Sequence, residues 1–169
     1  SADQAFVGNE AGDAKKALAG AAKKVEAVYA YPYQNHATME PMNCTARYTP
    51  DRCEVWAPTQ DGQGTFAAVL AASGLPADKC EVYKINLGGG YGRRSGLHQD
   101  WARQAVLIAK QVPGVPIKLL WSREEDMRQG RYHPVMQCKL TGGFDANNNL
   151  VALHMRLSGQ SILAAVNPS

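Results

Sequence analysis

Apolar positions along the chain repeat with a period of two in some stretches and of about 3.6 in others, and the switches between the two mark the elements. Residues 1–13 follow neither period and read as a loop. Residues 14–24 are rich in alanine and lysine, both strong helix formers, with Asp13 placed to cap them. From 24 to 33 the period becomes two: Val25, Ala27, Tyr29 and Tyr31 alternate with Glu26, Val28 and Ala30, and Pro32 closes the strand. Residues 43–48 and 53–58 predict a hairpin around Pro50-Asp51, a turn that pairs Tyr48 with Cys53. Helical spacing returns over 60–73, with Phe66, Val69, Leu70 and Ser73 on one face and Gly74 as the stop.

Strand 79–87 carries Cys80, Val82 and Ile85 and leads into a run of glycines. The helix predicted over 97–112 turns Leu97, Trp101, Ala105, Ile108 and Val112 inward, joined by Ala102, Val106 and Ala109, and keeps Gln99, Arg103 and Lys110 on the far side. Pro113-Gly114 ends it, and the apolar run 116–121 follows as a buried strand. Strand, loop, helix and strand make a βαβ crossover whose two strands are expected to be parallel and whose hand is expected to be right. Ser122 opens a short capping-box helix reaching about Met127, in which Glu124 and Glu125 serve the positive helix end. Two long strands complete the pattern, with Met136, Cys138 and Leu140 in one and Val151, Leu153, Met155 and Leu157 in the other. Their turn holds Asp145 and Asn147 to Asn149, and His154 falls on the polar face. The expected fold class is α+β, a mixed α/β arrangement with a mixed sheet, one βαβ crossover and flanking helices.

Composition narrows the function. At 169 residues, 45% hydrophobic and 20% charged, the chain can bury a core without metal or disulfides. Eighteen basic against fifteen acidic side chains leave a formal charge of +3, too slight for a nucleic-acid partner. No apolar stretch has the length of a transmembrane span. Cys44, Cys53, Cys80 and Cys138 have no metal-binding spacing and are expected as reduced, partly buried thiols.

Chemistry concentrates at Gly88-Gly89-Gly90-Tyr91-Gly92-Arg93-Arg94, which falls at the carboxyl end of a strand, where open α/β sheets bind ligands. Glycines there admit close backbone approach, and two arginines beside exposed amides suit phosphate or another anion. Ser95 stands where a dinucleotide fingerprint needs its third glycine, and no Walker-type lysine follows. Gln60 lies at a second strand-to-helix junction. His36, Thr38 and Glu40 share a face if the backbone is extended; His36 and Glu40 suggest either half of a metal site or polar groups bracing backbone, and the second is favoured because no third ligand is marked.

In this order His36 to Pro41, Pro58-Thr59-Gln60, the glycine loop and Arg131-Tyr132-His133-Pro134 resemble the molybdenum-cofactor-binding subunit of the xanthine dehydrogenase and aldehyde oxidase family. The likeness is nearest to isoquinoline 1-oxidoreductase beta subunits, through HATMEPMNCTA, PTQ and GGGYGRR. It implies residues 25–161 as a cofactor-domain segment, 1–24 as a leading loop and helix, and 162–169 as the start of a continuation. It also implies hydroxylation of an N-heterocycle or aldehyde with oxygen from water, at a molybdenum held by a pterin dithiolene, the cytosine dinucleotide form among the candidates. Electrons would leave through iron–sulfur clusters on a partner subunit. The same resemblance has Gln60 approach an oxygen ligand of the metal, and has Gly89, Gly90, Tyr91, Gly92, Arg93 and Arg94 contact the cofactor, the arginines through its phosphate or through the partner subunit. Xanthine-oxidising relatives read GGGFGGK followed by glutamate; Arg93, Arg94 and Ser95 depart from that and speak against xanthine. The family's base, a late glutamate, is expected beyond Ser169, so the chain alone is expected neither to hold the cofactor tightly nor to turn over. Cytoplasm and periplasm are both compatible with the resemblance. A stand-alone nucleotide- or anion-binding module and a non-catalytic interaction domain are the other readings.

Overall fold

The computed structural model describes residues 5–95, 99–162 and 164. In chain order the elements are α1 (Ala14–Ala19), β1 (Lys23–Tyr31), β2 (Gln34–Asn35), β3 (Asn43–Thr49), β4 (Arg52–Pro58), α2 (Gly62–Ser73), β5 (Cys80–Ile85), α3 (Asp100–Ala109), β6 (Ile117–Leu120), α4 (Arg123–Gln129), β7 (Tyr132–His133), β8 (Met136–Phe144) and β9 (Leu150–Gly159). The described residues fall into two units, one within 1–33 and 134–161 and one within 34–133 and 162–169.

The larger unit is built on a four-stranded sheet in the order β5-β4-β3-β6. The β3–β4 hairpin pairs Tyr48 with Cys53, as the Pro50-Asp51 turn dictates. Strand β5 lies parallel to β4, whereas β3 runs antiparallel to both β4 and β6. Strands β5 and β6 are therefore parallel, as the crossover reading expects, but they occupy opposite edges with β4 and β3 between them. The adjacent parallel pair is instead β4 and β5, joined through α2.

One sheet face, with Cys44, Ala46, Cys53, Val55 and Ala57, forms a core with Val69 of α2 and with Trp101, Ala102, Ala105, Val106 and Ala109 of α3. Alanines bring α3 close to the sheet, and Trp101 fills the space they leave. The other face is wetter: Trp56 stacks on Tyr83 at 5.2 Å, and Arg52 bridges Glu54 and Glu81.

Because α2 covers a flank of α3, two polar residues expected outside turn out to be engaged. Gln99 is buried, its Oε1 accepting from Thr65 Oγ1, and Lys110 Nζ donates to the last carbonyls of α2, Ala72 and Ser73. Ile108 and Val112 are correspondingly exposed. Leu97, expected to begin this helix, lies outside the described residues.

All four cysteines are free. Burial pushes the Cys44 thiol up to about 12, and burial with the neighbouring Cys80 pushes Cys53 to about 11. The thiolate is the reactive form. At pH 8 a thiol reagent should therefore leave Cys44 and Cys53 unmodified in the native protein and modify both after denaturation, as peptide mass mapping would record.

The smaller unit is a three-stranded antiparallel sheet in the order β1-β8-β9 with α1 against it. Asp13 caps α1 through Lys16 N–H, as its position predicts. Helix α1 ends at Ala19, earlier than alanine and lysine content suggests, because Gly20 stops it and Lys23 already belongs to β1. The β8–β9 turn is organised by Asp145, whose carboxylate accepts from Asn147 N, Asn149 N and the Asn149 amide.

Candidate functional site

Strands β4, β5 and β6 share one direction and β3 the other, so the segments after β4, β5 and β6 and the segment before β3 emerge at one edge of the larger sheet. That edge gathers Gln60, the glycine loop, residues 36–42 and the start of α4.

Gln60 is fixed at both ends. Its N–H donates to Arg94 O at 2.9 Å, and its Oε1 accepts from Gly92 N at 3.1 Å and Arg94 N at 3.3 Å. Those donors identify the carboxamide oxygen, so Nε2 keeps two N–H groups with no acceptor among the described residues. The carboxamide lies on Gly90: a Cβ there would sit 2.3 Å from Gln60 Oε1 and 2.5 Å from Cδ. Tyr91 has φ +53°, between Gly89 at +96° and Gly92 at +99°, and its ring stands exposed. The loop is closed by Arg93 N donating to Gly90 O and by Ser95 donating through N and Oγ to Gly92 O.

Arginines 93 and 94, read from the sequence as a seat for an anion, are engaged with protein acceptors. Arg94 is fully buried: Nε donates to Gly89 O, Nη1 to Pro58 O, and Nη2 to Glu40 O and Pro41 O, with Glu40 Oε2 at 3.1 Å. It fastens the loop, the Pro58-Thr59-Gln60 junction and the 38–41 segment to one another. Arg93, also buried, forks onto both oxygens of Asp100 and lies near the rings of Trp101 and Trp121. Carbonyls and a carboxylate converge where phosphate was expected.

His36 and Glu40 brace backbone, the favoured of their two readings, but on separate partners. Ala37 at φ +41° breaks the extended chain that would have aligned them. Glu40 N donates to Gly88 O while Glu40 Oε2 accepts from Gly88 N at 2.9 Å. Burial pushes the Glu40 carboxyl up, but Gly88 N–H, the Asn43 amide and Arg94 outweigh it and hold the group below its ordinary value. A depressed folded-state value stabilises above the unfolded value and is lost as pH falls through the folded one. The protection factor of the Gly88 amide, its exchange rate relative to the unfolded chain at the same pH, should accordingly fall as pH drops through the depressed folded-state value of Glu40, and Glu40→Gln should remove that dependence.

His36 Nδ1 donates to Arg131 O at 2.9 Å, which leaves Nε2 as the bare nitrogen of the neutral ring, beside Gly92. Its ring lies 4.2 Å from that of His133, and burial holds it below the usual histidine range. Both rings line an open cleft with Gln34, Asn35, Tyr91 and Met127. Two residues that sequence reading passed over complete the edge: Arg123 donates to Thr38 O and Met39 O and pairs with the buried Asp126 at 2.9 Å. Their i, i+3 spacing just inside the Ser122 cap was the available signal.

A family described as the molybdopterin cofactor-binding domain matches residues 2–161. A nicotinate dehydrogenase subunit of Pseudomonas putida is 24% identical over 147 residues, which are 87% of this chain and 12% of that protein. The beta subunit of isoquinoline 1-oxidoreductase from Brevundimonas diminuta is 28% identical over 137 residues, 78% of this chain and 17% of that one. Among solved structures, the aldehyde oxidoreductase of Desulfovibrio gigas shares the fold with a TM-score of 0.67 at 15% identity, over 88% of this chain and 16% of its own. The chain thus spans less than a fifth of each of these relatives.

Proposed function

The chain belongs to the molybdopterin cofactor-binding domain family, and from that premise we propose that it is a segment of a molybdenum hydroxylase large subunit, with residues 25–161 a stretch of its cofactor-binding domain and with Gln60 and the glycine loop forming one wall of the cofactor site. The observation that carries the reading is the Gln60 carboxamide, whose oxygen is held by two loop amides while its nitrogen keeps two donors for a ligand. Gly90 offers no Cβ against it, and Gly89, Tyr91 and Gly92 extend the same wall. In this reading the metal would be held by the pterin that the family's description names. When bound, that cofactor supplies two-electron oxidation with water as the oxygen source.

The chain's own residues orient. Gln60 donates toward the cofactor from a fixed position, and such outlying donors tune a metal without ligating it. Arg94, by tying the loop to the segment holding Glu40, keeps Gln60 and Gly92 in register; Arg93 does the same for the loop's exit through Asp100. Substrate would be a small N-heterocycle or aldehyde, and the base a glutamate elsewhere in the full-length polypeptide. The same proposal includes the cytosine dinucleotide form of the cofactor and a partner subunit carrying iron–sulfur clusters, a multi-subunit assembly being supported by the relatives' own designations as subunits. An anion-binding module fits less well, since both guanidinium groups already face protein acceptors.

The test is Gln60→Ala in the complete large subunit assembled with its partner. Turnover should fall about 10–100-fold with molybdenum content retained, the loss typical of an outlying partner. Unchanged turnover overturns the reading, and stoichiometric molybdenum on the isolated chain overturns its status as a segment.

A further inference from the structure

The three-stranded sheet of the smaller unit carries its helix on the wrong face for a self-sufficient fold. Register places Val25, Gly142 and Leu153 in one row, then Ala27, Leu140 and Met155, then Tyr29, Cys138 and Leu157, and Tyr31 with Met136 at the end. Side chains directly opposite share a face, so all of these project to one side. The other side holds Glu26, Thr141 and His154, then Val28, Lys139 and Arg156, with Glu26 bound to Thr141 and Lys139. Helix α1 packs on that second side, where Leu18 and Ala21 approach Gly143.

The outer strands of the apolar side are uncovered, while Cys138 in the central strand between them is buried and Leu140 half-buried. Leu153, Met155 and Leu157 are 54–59% exposed and Tyr29 is 56% exposed. None of the residues in the hydrophobic core cluster belongs to this unit. A three-stranded sheet needs its hydrophobic face packed to be stable, and exposed apolar patches of this extent mark interaction surfaces.

We propose that this face, centred on Leu140, Met155 and Leu157, is an internal surface of a larger subunit, covered by an apolar helix or strand from further sequence of the same polypeptide. The relatives supply the argument for that occupant: they are several times longer than this chain and match it over only 12–17% of their length. The outer edges of β1 and β9, unpaired among the described residues, give the same sequence a place to extend the sheet. The inference rests on the chain being one segment of a large subunit and not on any role of the glycine loop.

The test labels Met155→Cys and, separately, Leu153→Cys with a maleimide in the complete polypeptide, purified without partner subunits, native and in denaturant. Each should react at least about tenfold more slowly in the native protein, at every protein concentration, as buried positions that open only by unfolding do. Native rates equal to those in denaturant overturn the proposal. So does protection that appears only as concentration rises, which assigns the face to a second copy, or only when a partner subunit is added. Molybdenum content of the same samples reports separately on the functional reading.

Discussion

Gly90→Ala should dislodge Gln60 from the glycine loop. The added carbon would overlap the Gln60 carboxamide at 2.3–2.5 Å. Real Cβ atoms do not approach so closely, and the carboxamide cannot swing away without releasing Gly92 N and Arg94 N. Gly90 is not among the residues with positive φ, so the cost is the collision and not backbone strain. Overpacking of this kind typically costs about 1–3 kcal/mol. Amide exchange at Gly92 and Arg94 should quicken about tenfold or more, because one lost hydrogen bond of about 1.4 kcal/mol is a factor of ten. In the assembled enzyme turnover should fall at least as far as for Gln60→Ala. Gly62→Ala is the control: nothing lies within 4 Å of a Cβ there, and alanine suits the first turn of α2. Unaltered exchange and turnover in Gly90→Ala would reduce the loop to a mere turn.

Arg94→Met should strongly destabilise the larger unit. It leaves the Gly89, Pro58, Glu40 and Pro41 carbonyls without their shared donor and takes the cation from the Glu40 carboxylate, which keeps only its neutral donors such as Gly88 N–H. Removing one partner of a buried ion pair costs about 3–5 kcal/mol. Because about a third of the Glu40 side chain reaches solvent, the lower end of that range is expected. Arg94→Lys keeps the charge but not the planar fork, so it should recover only part of the loss. Exchange protection at Gly88 and Gly92 across wild type, Arg94→Lys and Arg94→Met should fall in that order; equal protection in all three would deny Arg94 its role as the fastener.

Much of this edge was readable from the chain. The Pro50-Asp51 turn fixed the β3–β4 register, Asp13 and Ser122 announced their helices, and strand-to-helix junctions brought out Gln60 and the glycine loop. What sequence could not carry was the supply of acceptors. Arg93-Arg94 advertises charge beside glycines, and only the folded chain reveals that carbonyls from residues 40, 41, 58 and 89 meet one guanidinium. Gln99 and Lys110 were misassigned for a related reason: helical periodicity locates one buried face and is blind to a second helix on the flank. The pairing of β1 with β8 spans about a hundred residues, and no local pattern encodes it. His36 likewise meets Arg131 and His133 only through β2 and β7.

The one-edge arrangement of the larger sheet also bears on when the site comes into being. Arg94 reaches acceptors 36 and 54 residues away, and Arg123 reaches one 85 residues away. Contacts so remote in sequence form after local ones, since the chain must first close long loops. Helices and the β3–β4 hairpin can form early, but Gln60 finds its position only once β5 has docked beside β4 and brought the glycine loop to it. The wall is therefore a late product of folding, and a chain stalled before that step would carry every motif and no site.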